Sequence, residues 1–172
     1  MHRPPALLAF AFLLVITSSP ARQTHPAQPN PRSNPALEQF KSLAGEWEGK
    51  DSRGGLLHVT YEVLATGVVM ERLQPEGHPA MVTMYSLDGD HIVAIHFCSA
   101  GNQPILKTAA LSAATGQYDF LLERTYGMNS PDELHMVELL FTMADNDHLS
   151  QAWTSLDHGK RSTNTISFAR KK

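Results

Sequence analysis

One cysteine, Cys98, is all the sequence carries. No intramolecular disulfide can brace the fold, so whatever stabilises it is core burial. There is also no basic stripe. Acids and bases are interspersed and the formal net charge is −3, so the clustered Lys and Arg that track phosphates are absent and nucleic acid is not an expected partner. No apolar run reaches the roughly 20 residues that span a bilayer. Metal spacing is missing as well. Of the nine histidines, His58, His78, His91, His96, His135, His148 and His158 are scattered over strands and turns, none with an i, i+2 or i, i+4 histidine partner, and no metal site is expected. What remains is the composition of one ordinary globular domain, 42% hydrophobic over 172 residues.

The beginning of the chain has the layout of a secretory signal peptide, 1–21. Arg3 gives a positive start, Ala6 to Ile16 is unbroken apolar sequence, and Thr17 to Ala21 supplies small residues that place cleavage after Ala21. No cysteine follows the apolar run, so a lipoprotein-type anchor has no attachment point. The expected mature protein is exported, periplasmic or extracellular, soluble, and without a transmembrane span. Residues 22–35, with Pro26, Pro29, Pro31 and Pro35 among Gln, Asn and Ser, read as a disordered tether.

Ala36 to Gly45 predicts one short helix, capped by Asn34, opened by Pro35 and ended by Gly45. Leu37, Phe40 and Leu43 give it one apolar face, which must seal against something. Beyond Glu46 the period changes. Turn residues recur at intervals of about 10 to 13 residues, among them Gly54-Gly55, Asp88-Gly89, Gly101-Asn102, Thr115-Gly116 and Gly159. They divide the chain into ten β-rich segments, 46–52, 56–65, 68–74, 80–87, 91–98, 104–112, 118–126, 134–143, 148–156 and 162–170. That many strands in one small domain favour closure, so residues 36–172 predict an all-β, roughly ten-stranded antiparallel up-and-down barrel sealed by the helix.

The first strand opens on Gly45-Glu46-Trp47-Glu48-Gly49. This resembles the Gly-x-Trp start of lipocalin and calycin barrels. It is also similar to the Gly-x-Trp-x-Gly start of nitrobindin-like haem barrels and of uncharacterised lipocalin-like bacterial domains. The resemblance implies that Trp47 plugs one barrel end, with Arg170 of the last strand as its structural partner. It does not extend to haem, because those barrels take their iron-binding histidine from the last strand and Arg161 to Arg170 contains none. No cofactor is expected.

For the interior, a two-residue Asp88-Gly89 turn would pair Leu87 with Asp90, Tyr85 with Ile92, Thr83 with Ala94 and Met81 with His96. Those residues and Cys98 are expected to face inward, and Val82, Met84, Ser86, His91, Val93 and Ile95 outward. His96 and Cys98, two apart on one strand, stand about 7 Å apart, too far for thiolate activation, and no catalytic residue is assigned. Strict alternation along Tyr118, Phe120, Leu122, Arg124 and Tyr126 would carry Arg124 and Tyr126 inward as well. An Arg-x-Tyr pair resembles the carboxylate clamp of fatty-acid-binding barrels, although theirs lies on the final strand. An internal ion pair of Arg124 with Glu138 or Glu71 is the alternative. The polar loop Cys98 to Pro104 is expected at a barrel mouth.

The expectation is therefore a non-catalytic barrel binding a small, largely apolar or amphipathic molecule, with Tyr61, Met81, Tyr85, His96, Phe120, Arg124 and Tyr126 lining its cavity. Two alternatives stand beside it. One is a small-molecule enzyme using His96 and Arg124. The other is a filled barrel acting as an accessory interaction module through the outward apolar residues Val82, Met84, Val93 and Ile95, a surface on which a homodimer could form.

Overall fold

The computed structural model describes residues 34–65, 67–111 and 114–172. The expected signal peptide 1–21 lies outside them, as does the tether 22–35 apart from Asn34 and Pro35. Asn34 caps the helix, its side chain accepting from the Ala36 N–H at 2.9 Å, and Pro35 takes the first position, where its missing N–H costs nothing. The helix, α1 (Pro35–Lys41), ends sooner than the sequence suggests. Leu43 and Ala44 donate to Phe40 and Lys41 carbonyls, three residues back, so the chain tightens and leaves the helix before Gly45. Leu37, Phe40 and Leu43 are all buried, as their spacing requires.

Ten strands follow in a meander. They are β1 (Gly45–Asp51), β2 (Leu56–Leu64), β3 (Val68–Pro75), β4 (Met81–Asp88), β5 (His91–Phe97), β6 (Gln103–Thr108), β7 (Gln117–Tyr126), β8 (His135–Met143), β9 (His148–Asp157) and β10 (Lys160–Arg170). Each pairs antiparallel with its chain neighbours, and β1 closes on β10 through pairs from Trp47–Arg170 to Asp51–Ile166. The described residues thus form the expected all-β, ten-stranded closed barrel with a single short helix, and among them no sheet edge is left open.

The Gly-x-Trp-x-Gly segment has a physical basis at each position. Gly45 sits at φ +129, a region that favours glycine. Gly49 lies opposite Phe168, whose ring folds over it, and a Cβ there would stand 2.4 Å from the Ser167 carbonyl oxygen and 2.5 Å from Phe168 Cδ1. Between them Trp47 points inward and donates its Nε1–H to the Leu43 carbonyl at 2.9 Å, tying barrel to helix. At this end α1 drives Phe40 into the barrel, where its ring centroid lies 4.9 to 5.0 Å from those of Tyr85, Tyr118 and Phe141. Burying aromatic rings of this size is worth roughly 1.5–3 kcal/mol each, so this end of the barrel is packed with side chains.

Two expectations about register are corrected. Gly89 at φ +61, with Asp90, forms the two-residue turn, so Asp88 pairs with His91, Leu87 with Ile92, Tyr85 with Ala94 and Thr83 with His96. The shift is two residues, which leaves the side chains within β4 and β5 on their expected faces: Thr83, Tyr85, Ile92, Ala94 and His96 are all buried, whereas Cys98, expected inward, lies beyond the end of β5. The second correction changes faces. Between β6 and β7, Leu106 pairs with Leu122 but Ile105 pairs with Arg124, leaving Glu123 as an extra residue. This bulge inverts the alternation. Arg124 and Tyr126 stand exposed on the outer surface, the guanidinium carbon 5.0 Å from the Tyr126 ring centre.

Candidate functional site

At the end away from α1 the barrel is not filled. A cavity of about 460 Å³ opens there, in the size range of small-molecule sites. Its floor consists of residues almost sealed from solvent: Leu57, Leu73, His96, Trp153 and Ile166. Met81 and Met136 form part of the wall, and Asp51, Arg53, Glu76 and His78 stand around the rim. The walls are apolar because the mouth halves of β2, β3, β4 and β10 turn Leu57, Leu73, Met81 and Ile166 inward by strand alternation. Leu134, from the β7–β8 connection, completes one side, and its carbonyl accepts from Asn102 Nδ2 at 2.7 Å. The polar loop after β5 thus braces this lip through Asn102.

His96 and Trp153 meet on the floor, ring centroids 4.6 Å apart. Each is anchored from beneath. His96 Nδ1 lies 2.9 Å from Thr83 Oγ1, its cross-strand partner. Trp153 donates its indole N–H to Gln151 Oε1 at 2.8 Å. The Trp153 anchor leads on to Glu71, which is fully buried. Gln151 Nε2 donates to Glu71 Oε2 at 2.8 Å and to the Tyr61 hydroxyl at 2.7 Å, and the Tyr85 hydroxyl donates to the same Glu71 oxygen at 2.8 Å. The other carboxyl oxygen, Oε1, has no partner.

Burial governs the ionisation of this layer. Loss of water pushes the Glu71 carboxyl up to about 7, outweighing the hydrogen bonds from Tyr85, Tyr61 and Gln151 that favour its anion. Burial likewise holds the His96 imidazole down at about 4, so the ring is neutral around pH 7. The phenols of Tyr61 and Tyr85 are pushed well up, first by burial and then by the nearby Glu71 charge.

Of the residues expected to line a cavity, Met81 and His96 do so. Tyr61 and Tyr85 are buried one layer below, in the Glu71 network, and Phe120 lies in the aromatic packing against Phe40 and Tyr85. Arg124 and Tyr126 are outside the wall altogether. Because His96 faces in and Arg124 faces out, the two cannot act together on one substrate. Arg124 does not pair internally either: Glu138 bonds Arg161 at 2.8 Å, and Glu71 has only Tyr and Gln partners. Cys98 follows β5 in a turn and is not part of the lining. Among the described residues there is no group of three or more His, Cys, Asp or Glu placed to hold a metal ion.

Glu71, Gln151 and Trp153 were missed, although a signal exists. Val69-x-Glu71-x-Leu73 and Leu149-x-Gln151-x-Trp153 both put a polar residue on an otherwise apolar strand face. Such a position is buried polar chemistry that needs partners.

No family model matches the chain, and no curated protein matches it. Solved structures do. One is a protein of unknown function from the DUF3598 family of Nostoc punctiforme PCC 73102, 12% identical, with a TM-score of 0.51 over 78% of this chain and 50% of that one. The chain therefore spans half the length of that protein, and the likeness is one of fold alone. A second, EF1p2_mFAP2b bound to DFHBI, is 12% identical with a TM-score of 0.40, over 81% of this chain and all of the other.

Proposed function

We propose that the protein is a non-catalytic binding barrel that holds a small, largely apolar molecule in the mouth cavity. The observation that carries this reading is the cavity itself: about 460 Å³ of space above a sealed, largely apolar floor, in a barrel whose other half holds the aromatic cluster around Phe40. A barrel serving only as a scaffold gains stability from filling such space, since an empty apolar cavity forgoes packing contacts. The floor also lacks the equipment of an enzyme. Its one titratable group, His96, is bonded to a threonine rather than to a carboxylate or a nucleophile. The lipocalin-like opening segment supports the same reading.

Export belongs to the proposal and rests on the signal-like sequence from Arg3 to Ala21. Among the described residues no helix is long and apolar enough to cross a membrane. The test is native mass spectrometry on protein purified gently from the exported fraction, followed by solvent extraction. A chain starting at Arg22 and carrying one lipophilic molecule is the expected result. An empty protein that also ignores neutral lipophiles would remove the carrier reading.

A second reading has its own observation. Phe97 is 49% exposed beside its cross-strand neighbour Val82, and the pair Met84 and Ile95 continues the same outer face. This apolar strip supports an interaction role, with a homodimer as the simplest form. Light scattering after size exclusion tests it: a dimer that Phe97→Ser converts to monomer is expected, and a monomer at all concentrations would discard it.

A further inference from the structure

From floor to opening, the strands around the cavity change from apolar to polar. Along the inward side of β10, Ile166 is followed by Asn164 and then Ser162. On β9, Trp153 gives way to Ser155, which pairs across the hairpin with Ser162. On β3, Leu73 is followed by Pro75 and then by Glu76 at the rim. The β1–β2 turn adds Asp51 and Arg53. Strand alternation puts residues two apart on one wall at successive depths, about 7 Å per step, so polarity here rises along the depth of the site.

Some of these polar groups are already engaged. Asp51 Oδ1 accepts from the Gly55 and Arg53 N–H groups at 2.7 and 3.0 Å, and Asn164 Oδ1 accepts from Ser52 Oγ at 2.7 Å. The Ser162 hydroxyl, the Arg53 guanidinium and the Glu76 carboxylate make no hydrogen bond or ion pair among the described residues. The opening therefore offers unmatched donors together with an unmatched acceptor, and its charges are of both signs. The floor is poorer. Trp153 turns its N–H down to Gln151, the His96 ring already meets Thr83, and Leu57, Leu73 and Ile166 have no polar side-chain atom.

We infer that the cavity takes a single-chain amphiphile tail first, leaving an uncharged head of hydroxyl or amide groups at the opening beside Ser162, Arg53 and Glu76. The inference rests on the ligand-binding reading of the same cavity and deepens it by naming the ligand class and its orientation. Inserted head first, such a molecule strips water from its polar groups against leucine and isoleucine, which return no hydrogen bond. Inserted tail first, it buries the chain on those residues and keeps the head where side chains and water can meet it. A rim of both signs gives no net attraction to an ion. A carboxylate that reaches Arg53 also meets Asp51 and Glu76, and an ammonium that reaches Glu76 also meets Arg53.

The test uses decanoyl glycerol carrying carbon-13 at the terminal methyl or in the glycerol, bound to the intact protein and followed by isotope-filtered nuclear Overhauser spectroscopy. Expected are contacts from the terminal methyl to the His96 ring and Leu73, and from the glycerol to Ser162 and Arg53. By calorimetry, decanoyl glycerol should bind about tenfold tighter than decanoate or decylammonium. The double variant Ser162→Ala, Arg53→Ala should bind it about tenfold more weakly while keeping its affinity for N-phenylnaphthylamine. Both side chains are exposed, and circular dichroism of the variant checks its fold. Glycerol contacts to the His96 ring, equal or tighter binding of either ion, or an affinity untouched by the double substitution overturns the inference. So does a protein that binds N-phenylnaphthylamine but not decanoyl glycerol, and in each of these cases the cavity reading stands. Failure of both probes to bind removes the cavity reading and the inference with it. The Overhauser contacts need no variant, so a double variant that does not fold still leaves the inference open to refutation.

Discussion

The guanidinium of Arg170 lies over the ring of Trp47, its central carbon 4.2 Å from the ring centre. From that position Nη1 donates to the Ala44 carbonyl at 2.9 Å, Nη2 to Ser42 at 3.0 Å and Nε to Asn146 at 3.0 Å. One side chain thus joins the last strand, the first strand, the residues that follow the helix and the β8–β9 turn. It closes the packed end of the barrel and takes no part in the open one.

Arg170→Ala should therefore destabilise the fold by about 2 kcal/mol, from a lost cation–π contact and orphaned carbonyls. Affinity at the mouth should stay as it was. Urea unfolding and a ligand titration on the same variant check both halves of this expectation.

The pH dependence of stability follows from two buried groups with opposite slopes. Glu71 has its folded pKa raised from 4.5 to about 7, so the stability it contributes is complete below 4.5 and is lost as pH rises to about 7. His96 has its folded pKa lowered from 6.5 to about 4, so its contribution is complete above 6.5 and is lost as pH falls to about 4. Between roughly 4.5 and 6.5 the two slopes, each near 1.4 kcal/mol per pH unit, offset one another. Denaturation midpoints of Glu71→Gln should rise with pH across that window, and those of His96→Asn should fall. Parallel profiles for both variants would show that one of the groups is not buried as described.

Gly49→Ala should cost about 1–3 kcal/mol, because the new methyl group collides with the Ser167 carbonyl and the Phe168 ring, and relief requires moving β10. A combined Gly49→Ala, Phe168→Leu protein should recover part of the ring clash but none of the carbonyl clash. Thermal unfolding of the two proteins distinguishes these contributions.

Arg124→Ala and Tyr126→Ala should leave cavity binding unchanged within twofold, since both side chains lie outside the barrel wall. A larger loss in a binding titration would place these side chains inside the barrel wall and contradict the outward face set by the bulge at Glu123.

The strands and their order were readable because Gly, Asn and Asp mark nearly every turn and a meander needs nothing more than that. The β4–β5 register was off by two residues, since either Asp88-Gly89 or Gly89-Asp90 can form a two-residue turn, but an even slip preserves faces. The bulge in β7 had no such marker. Leu122, Glu123 and Arg124 contain no glycine or proline, and the apolar alternation runs smoothly into the wrong face for Arg124 and Tyr126. His96 and Met81 were identifiable from parity alone. Glu71 and Gln151 were equally open to that reasoning, whereas their meeting across the barrel depends on closure and is not visible in any single strand. The division into a packed end and an open end is likewise a property of where α1 inserts Phe40, which strand patterning does not specify.

The central claim is that the mouth cavity binds a small, largely apolar molecule, and fluorescence titration with N-phenylnaphthylamine tests it most directly. Native protein and Met136→Trp, whose larger ring fills the wall of the cavity, would be compared at equal folded fraction by circular dichroism. Saturable binding of one probe per chain to the native protein, weakened at least tenfold in Met136→Trp, is the predicted result. No enhancement with the native protein, or the same affinity in both, would contradict the account.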